Sequence, residues 1–160
     1  MKDILRILER DARTSAARIS TLTGRPLAEV KKAIKAAEAQ RIILKYKAVV
    51  NWDKAGEEQV RALIEVKVAP QRDVGFDSVA ERIYRFPEAR SVYLVSGTYD
   101  LAVMVVGKTM HEVAAFVSEK LSPLESVQGT VTHFLLKPYK EDGDILEGGE
   151  EASKRLAVAP

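Results

Sequence analysis

The chain has 160 residues, 46% of them apolar, enough for one mid-sized domain or two small ones with a packed core. It contains no cysteine, which excludes a disulfide framework and a thiolate metal site. No apolar run approaches the ~20 residues that span a bilayer, and Met1-Lys2-Asp3-Ile4 lacks the apolar stretch of a signal peptide, so a soluble, cytoplasmic protein with no membrane partner is expected. The formal net charge of +2 is unevenly placed: residues 1–54 carry 13 Lys/Arg against 6 Asp/Glu, and residues 55–160 carry 12 against 17. A basic segment joined to an acidic one suggests a nucleic-acid-facing module followed by one that faces something else.

The first predicted element is a helix over Lys2–Glu9, with Ile4, Leu5, Ile7 and Leu8 at helical spacing. Ser15 is the expected N-cap of a second helix, Ala16–Leu22. Thr23-Gly24-Arg25-Pro26 breaks the pattern: Gly24 permits a tight turn, and Pro26 suits the first position of a third helix. That helix runs to about Gln40, with Leu27, Val30, Ile34 and Ala37 on one side and Lys31, Lys32 and Lys35 on the other. Two short helices joined by a glycine turn, the second cationic outside, is how a helix-turn-helix presents its reading helix to DNA. Lys31, Lys32 and Lys35 are candidate phosphate contacts, and Arg25 a candidate for bidentate contact with a guanine edge. Arg13, Arg18, Lys45 and Lys47 are further phosphate candidates, and a merely solvated cationic face stays open beside all of these.

Ile42, Ile43, Leu44, Tyr46, Val49 and Val50 favour extended chain, and Asn51, Asp53 and Gly56 mark a turn-rich connection. Tyr46 and Trp52 are expected to pack in this linker and in a dimer contact. A second unit follows: a strand over Ala62–Val68 ended by Pro70, a helix over Val74–Tyr84 with Val79, Ile83 and Phe86 as its apolar side, and a strand over Val92–Val95. After the turn Gly97-Thr98-Tyr99-Asp100 comes the continuous apolar strand Leu101–Val106, which reads as central in its sheet. An amphipathic helix, Met110–Leu121, and a last strand, Val127–Leu136 with Thr130, Thr132 and Phe134 on one face, complete the order βαββαβ. This is the ferredoxin-like arrangement: a four-stranded antiparallel sheet with helices on one face. The other face calls for a cover, and a second subunit is the usual one.

The fold class is therefore α+β: an N-terminal helix-turn-helix, winged or simple, at 1–44; an extended linker at 45–60; a βαββαβ domain at 61–138; and an acidic tail at 139–160. The tail carries Gly143, Gly148 and Gly149; it reads as a disordered end, with a short edge strand at Leu156-Ala157-Val158 as the other possibility. His111 and His133 are too isolated for a metal site or catalytic dyad, with His133 an interface or surface residue. There is no phosphate-binding glycine loop and no nucleophile elbow, so neither a cofactor nor an enzymatic activity is proposed.

Three short segments carry a family resemblance. Asp11-Ala12-Arg13-Thr14-Ser15, Arg41-Ile42-Ile43-Leu44-Lys45-Tyr46 and Val95-Ser96-Gly97-Thr98-Tyr99-Asp100-Leu101 are similar, in this order and spacing, to motifs of the Lrp/AsnC (leucine-responsive, feast/famine) transcription regulators. The last of the three is the most specific, and the resemblance covers residues 1–138. Departures stand at Pro26, where the family commonly has Ser, at Ala33, where it often has Arg, and at Arg41, where it has Gly.

The resemblance implies a DNA-binding regulator of transcription, modulated by an amino acid or related metabolite. It places the effector near the Gly97, Thr98, Tyr99, Asp100 loop, where dimers meet. Asp100 would accept from an ammonium group, and backbone N–H groups or the hydroxyls of Thr130 and Thr132 would hold a carboxylate. The implied partners are double-stranded DNA and further copies of the chain, as a homodimer and higher homo-oligomer. Two other readings stay open: an architectural protein that wraps DNA without an effector, and a regulatory or interaction domain that does not bind DNA.

Overall fold

The computed structural model describes residues 1–69 and 75–146. Two compact units follow one another along the chain, Met1–Val50 and a second beginning at Asn51.

The first unit holds α1 (Lys2–Arg10), α2 (Ala16–Thr23) and α3 (Leu27–Ala39). Their small core joins Ile4 and Leu8 of α1, Ile19 of α2 and Val30 of α3, with Ile7, Ala16, Ala33, Ile34 and Ile43 packed around them. Asp11 and Ser15 build the turn into α2: Asp11 Oδ1 accepts from the Arg13 N–H at 2.9 Å, and Ser15 Oγ caps the helix by accepting from the Arg18 N–H at 3.2 Å. Gly24 closes α2 in the left-handed region at φ 68°. Pro26 sits one residue earlier than expected, as the N-cap of α3 with an extended ψ of 138° rather than as its first helical residue. Leu27, expected on the apolar side of the third helix, stands out on the surface. Of the winged and simple forms, this unit is the simple one, because no strand forms within residues 1–50.

The end of α3 shows what the departure at Arg41 entails. The Ile42 N–H donates to Ala37 O at 2.8 Å and the Arg41 N–H to Glu38 O at 3.0 Å. This is the paired C-terminal cap that places its turning residue in the left-handed region. Here that residue is Arg41, at φ 56°, where glycine costs nothing sterically.

The second unit opens with a correction to the extended linker at 45–60. Trp52–Ala55 is a single helical turn, α4, capped by Asn51 Oδ1, which accepts from the Lys54 N–H at 3.1 Å, and closed by Gly56 at φ 77°. Residues 44–50 pair with no strand. Trp52 is partly exposed, and the Tyr46 hydroxyl donates to Glu38 Oε1 at 2.8 Å. That bond pushes the Tyr46 phenol above its usual range.

Next come β1 (Val60–Val68), α5 (Asp77–Tyr84), β2 (Ala89–Leu94), β3 (Leu101–Gly107), α6 (Met110–Ala115), β4 (Val127–Leu135) and a small hairpin, β5 (Lys140–Glu141) and β6 (Asp144–Ile145). The four long strands form one antiparallel sheet in the order β2-β3-β1-β4. β1 and β3 are central, as the apolar run 101–106 predicts. Alternation decides which face is covered: Ala62, Ile64, Val66 and Val68 of β1 and Leu101, Val103 and Val105 of β3 are buried under Val79 and Ile83 of α5 and Val113 of α6. The expected helix 110–121 changes character midway, since Phe116–Leu121 is π-helical. It still delivers Phe116 and Leu121 to the core, and the Phe116 ring meets Phe86 edge-on at 5.6 Å. α5 starts at Asp77 rather than Val74; Val74 and the strand-ending Pro70 lie outside the described residues.

The opposite sheet face carries Leu63, Met104, Val131 and Leu135, with the His133–Glu65 pair at 3.0 Å among them. The acidic tail contains structure that composition alone hides. Asp142 (φ 45°) and Gly143 (φ 95°) make the two-residue turn of the β5–β6 hairpin, and Arg61 Nη1 holds it to β1 through Glu141 at 2.9 Å. The edge strand expected at 156–158 lies outside the described residues.

Candidate nucleic-acid interface and loop site

Helix α3 sets the first candidate site. Val30 and Ala37 are buried completely, which fixes the roll of the helix and leaves Lys31, Lys32 and Lys35 exposed. Arg25 sits in the turn at its N-terminus. One guanidinium nitrogen of Arg25 reaches Asp3 Oδ2 of α1 at 3.2 Å, and this bond holds the Asp3 carboxyl below its usual range. The backbone of Arg25 is held as well, because the Ser20 hydroxyl donates to its carbonyl at 2.5 Å. Arg13 and Arg18 project from the turn and first turn of α2, and Lys45 and Lys47 from the chain after α3; the side chains of all four are exposed. The unit brings Arg25 and the three lysines onto one helix and its leading turn. Asp3 and Ser20 escape sequence reasoning: an acidic residue in the first turn of a helix usually needs no partner beyond the helix dipole.

The second candidate is the loop between β2 and β3. Gly97 takes φ 145°, a conformation open to glycine and strained for other residues. Asp100 then closes the loop twice: its N–H donates to Val66 O at 3.1 Å, and its carbonyl accepts from the Val95 N–H at 2.9 Å. Its carboxylate is already engaged. Oδ2 accepts from the Val68 N–H at 2.9 Å and lies 3.2 Å from Lys67 Nζ. The Val68 N–H, aided by the Lys67 ammonium, draws the carboxyl below the usual range.

The carboxylate is thus already partnered, and an incoming ammonium group would share it with the Val68 N–H and share or displace Lys67. Thr98 is exposed and Tyr99 half-buried at the same loop. Thr130 and Thr132 are not grouped with it. They lie on β4 opposite Val66 and Ile64, whose side chains face the helices, so the strand β1 separates them from β3. Lys67 and Val68 carry no signal of this role in the sequence; only the antiparallel register of β1 against β3 brings them to Asp100. Among the described residues no group of three or more His, Asp or Glu is placed to hold a metal ion, and no helix is long and apolar enough to cross a membrane.

A three-helix unit with a cationic third helix, followed by a βαββαβ unit, is the architecture of a two-part helix-turn-helix transcription regulator. The family described as Lrp/AsnC ligand binding domain matches residues 61–145. The chain is 50% identical over 159 residues to an uncharacterized HTH-type transcriptional regulator of Bacillus subtilis, YugG, covering 99% of this chain and 95% of that one. It is 31% identical to the HTH-type transcriptional regulator FL11 of Pyrococcus furiosus, covering 90% and 92% of the two chains. Among solved structures, the regulator NMB0573 of Neisseria meningitidis in complex with L-Met superposes with a TM-score of 0.70 at 22% identity, over 87% of this chain and 89% of that one. The chain belongs to the Lrp/AsnC family and is a DNA-binding transcriptional regulator.

Proposed function

We propose that the chain contacts duplex DNA through α3, with Lys31, Lys32 and Lys35 on phosphates, Arg25 on a base edge, and Arg13 and Lys45 as flanking phosphate contacts. The observation that carries this is the roll of α3, which buries Val30 and Ala37 and turns three ammonium groups outward. Residues 1–44 act as the DNA-binding domain, 45–60 as the linker, 61–138 as the assembling and sensing domain, and 139–160 as the tail. The chain works in the cytoplasm as a homodimer and higher assembly. Leu63, Met104, Val131 and Leu135 on the uncovered sheet face support self-association.

An amino acid or related metabolite binds at the Gly97–Asp100 loop across a subunit boundary. Its ammonium group takes Asp100 in exchange for Lys67, while the exposed Thr98 or the loop N–H groups take its carboxylate. The L-Met complex of NMB0573 supports an amino acid as the class of effector. By linkage, such a ligand shifts the balance between assemblies in proportion to its differential affinity for them. Genomic footprinting with and without a panel of amino acids tests the reading. Discrete protected sites that change with one amino acid are expected; uniform, sequence-independent protection unaffected by any of them overturns it.

A further inference from the structure

We infer that Asp3 and Ser20 are positioning residues that preorganise Arg25 as the base-reading group of the helix-turn-helix. The inference rests on the reading of Arg25 as a base contact. Arginine is the longest and among the most mobile of side chains, and an unrestrained one reaches a phosphate as readily as a guanine edge. Here both halves of the residue are fixed. On the backbone side, Gly24 turns the chain at φ 68°, Pro26 fixes the next φ at −55°, and the Ser20 hydroxyl holds the Arg25 carbonyl at 2.5 Å. On the side-chain side, Asp3 Oδ2 holds one guanidinium nitrogen at 3.2 Å. That bond engages one of five N–H donors and leaves the planar fork with donors for a bidentate partner.

A structural role explains this pair poorly. The two side chains are 42% and 60% exposed, and an exposed ion pair adds little to stability. Asp3 also places a negative charge beside a face that meets a polyanion, which works against general affinity. A carboxylate there is useful where it aims a cation. It therefore trades non-specific attraction for discrimination.

The test is selection of randomised duplexes on the full-length protein and on its Asp3→Asn, Asp3→Glu, Ser20→Ala and Arg25→Ala variants. Affinities for the selected duplex and for an unrelated duplex are then measured at one salt concentration. Arg25→Ala is expected to erase the preference for guanine at one position. Asp3→Asn and Ser20→Ala weaken that same preference at least threefold. Asp3→Asn binds the unrelated duplex as well as or better than the unaltered protein, and Asp3→Glu restores part of the preference. If Asp3→Asn and Ser20→Ala change both affinities by a common factor and keep the preference, the positioning role is overturned while base reading by Arg25 stands. If Arg25→Ala keeps every base preference, base reading by Arg25 itself falls, and the role of Asp3 and Ser20 with it.

Discussion

The carboxylate of Asp100 accepts the backbone N–H of Val68 at 2.9 Å, 32 residues away in sequence. It does so just past the end of the β1–β3 ladder at Val66↔Leu101, so the side chain supplies an acceptor to a strand-end N–H that β3 no longer reaches. One residue thus joins the strand end to the loop proposed to bind the effector.

Asp100→Asn and Asp100→Ala are therefore expected to lower the melting temperature, alanine more than asparagine, because alanine leaves the Val68 N–H without its acceptor. The acid dependence has a definite sign. The folded carboxyl titrates below the ordinary value of 3.8. Its stabilising contribution is thus complete above that pH and is lost as the pH falls through the folded value. Melting temperatures recorded from pH 6 downward should converge for wild type and Asp100→Asn at the acid end. A constant gap between them down to pH 2 would exclude this carboxylate as the titrating group.

Replacing Lys31, Lys32 and Lys35 together by alanine should weaken binding to any duplex. It should also lower the slope of log affinity against log salt by about 2–3, roughly 0.9 for each lost phosphate contact. Fluorescence anisotropy across a salt series reads this directly. An unchanged slope would assign the phosphate contacts to another surface.

Arg41→Gly is expected to stabilise the first unit by about 0.5–1 kcal/mol. Glycine relieves the steric cost of the left-handed turn, and its looser unfolded chain offsets part of the gain. Urea titration followed by helical circular dichroism checks it, with Arg41→Ala as the control that keeps the strained φ and should gain nothing.

Val131→Asp, paired with Leu63→Asp as a second variant, should weaken self-association at least tenfold while leaving the sheet folded, because both positions lie on the face away from the helices. Sedimentation velocity measures the change in assembly. Unaltered sedimentation of both folded variants would move the subunit contact to another surface.

Much of this fold is legible in local pattern. The alternation of Ala62, Ile64, Val66 and Val68 predicts a half-covered strand, and the unbroken run from Leu101 to Val106 predicts its central neighbour. Ser15 and Gly24 mark both ends of α2 correctly. Asp142-Gly143 is also a strong local signal for a tight hairpin, but the acidity of the surrounding tail obscures it. Other features have no local signature. The π-helical turn at Phe116–Leu121 keeps the apolar spacing of an ordinary helix. The Arg25–Asp3 and Asp100–Val68 bonds join residues 22 and 32 positions apart, so they exist only once helices and strands have packed.

The second unit also meets itself. Asn51, its first residue, donates through Nδ2 to the carbonyl of Leu146, the last described residue, at 3.1 Å, and Leu146 in turn donates to Tyr139 O at 3.0 Å. Topologically the unit is a ring with a seam, and a ring can be opened at another point. A circular permutant that joins Leu146 to Asn51 through a short Gly/Ser bridge and begins anew at the exposed Pro123 should keep the β2-β3-β1-β4 sheet intact. Within the described residues the two ends of the unit meet at Asn51 and Leu146, so a segment fused at either of these residues starts from the same spot.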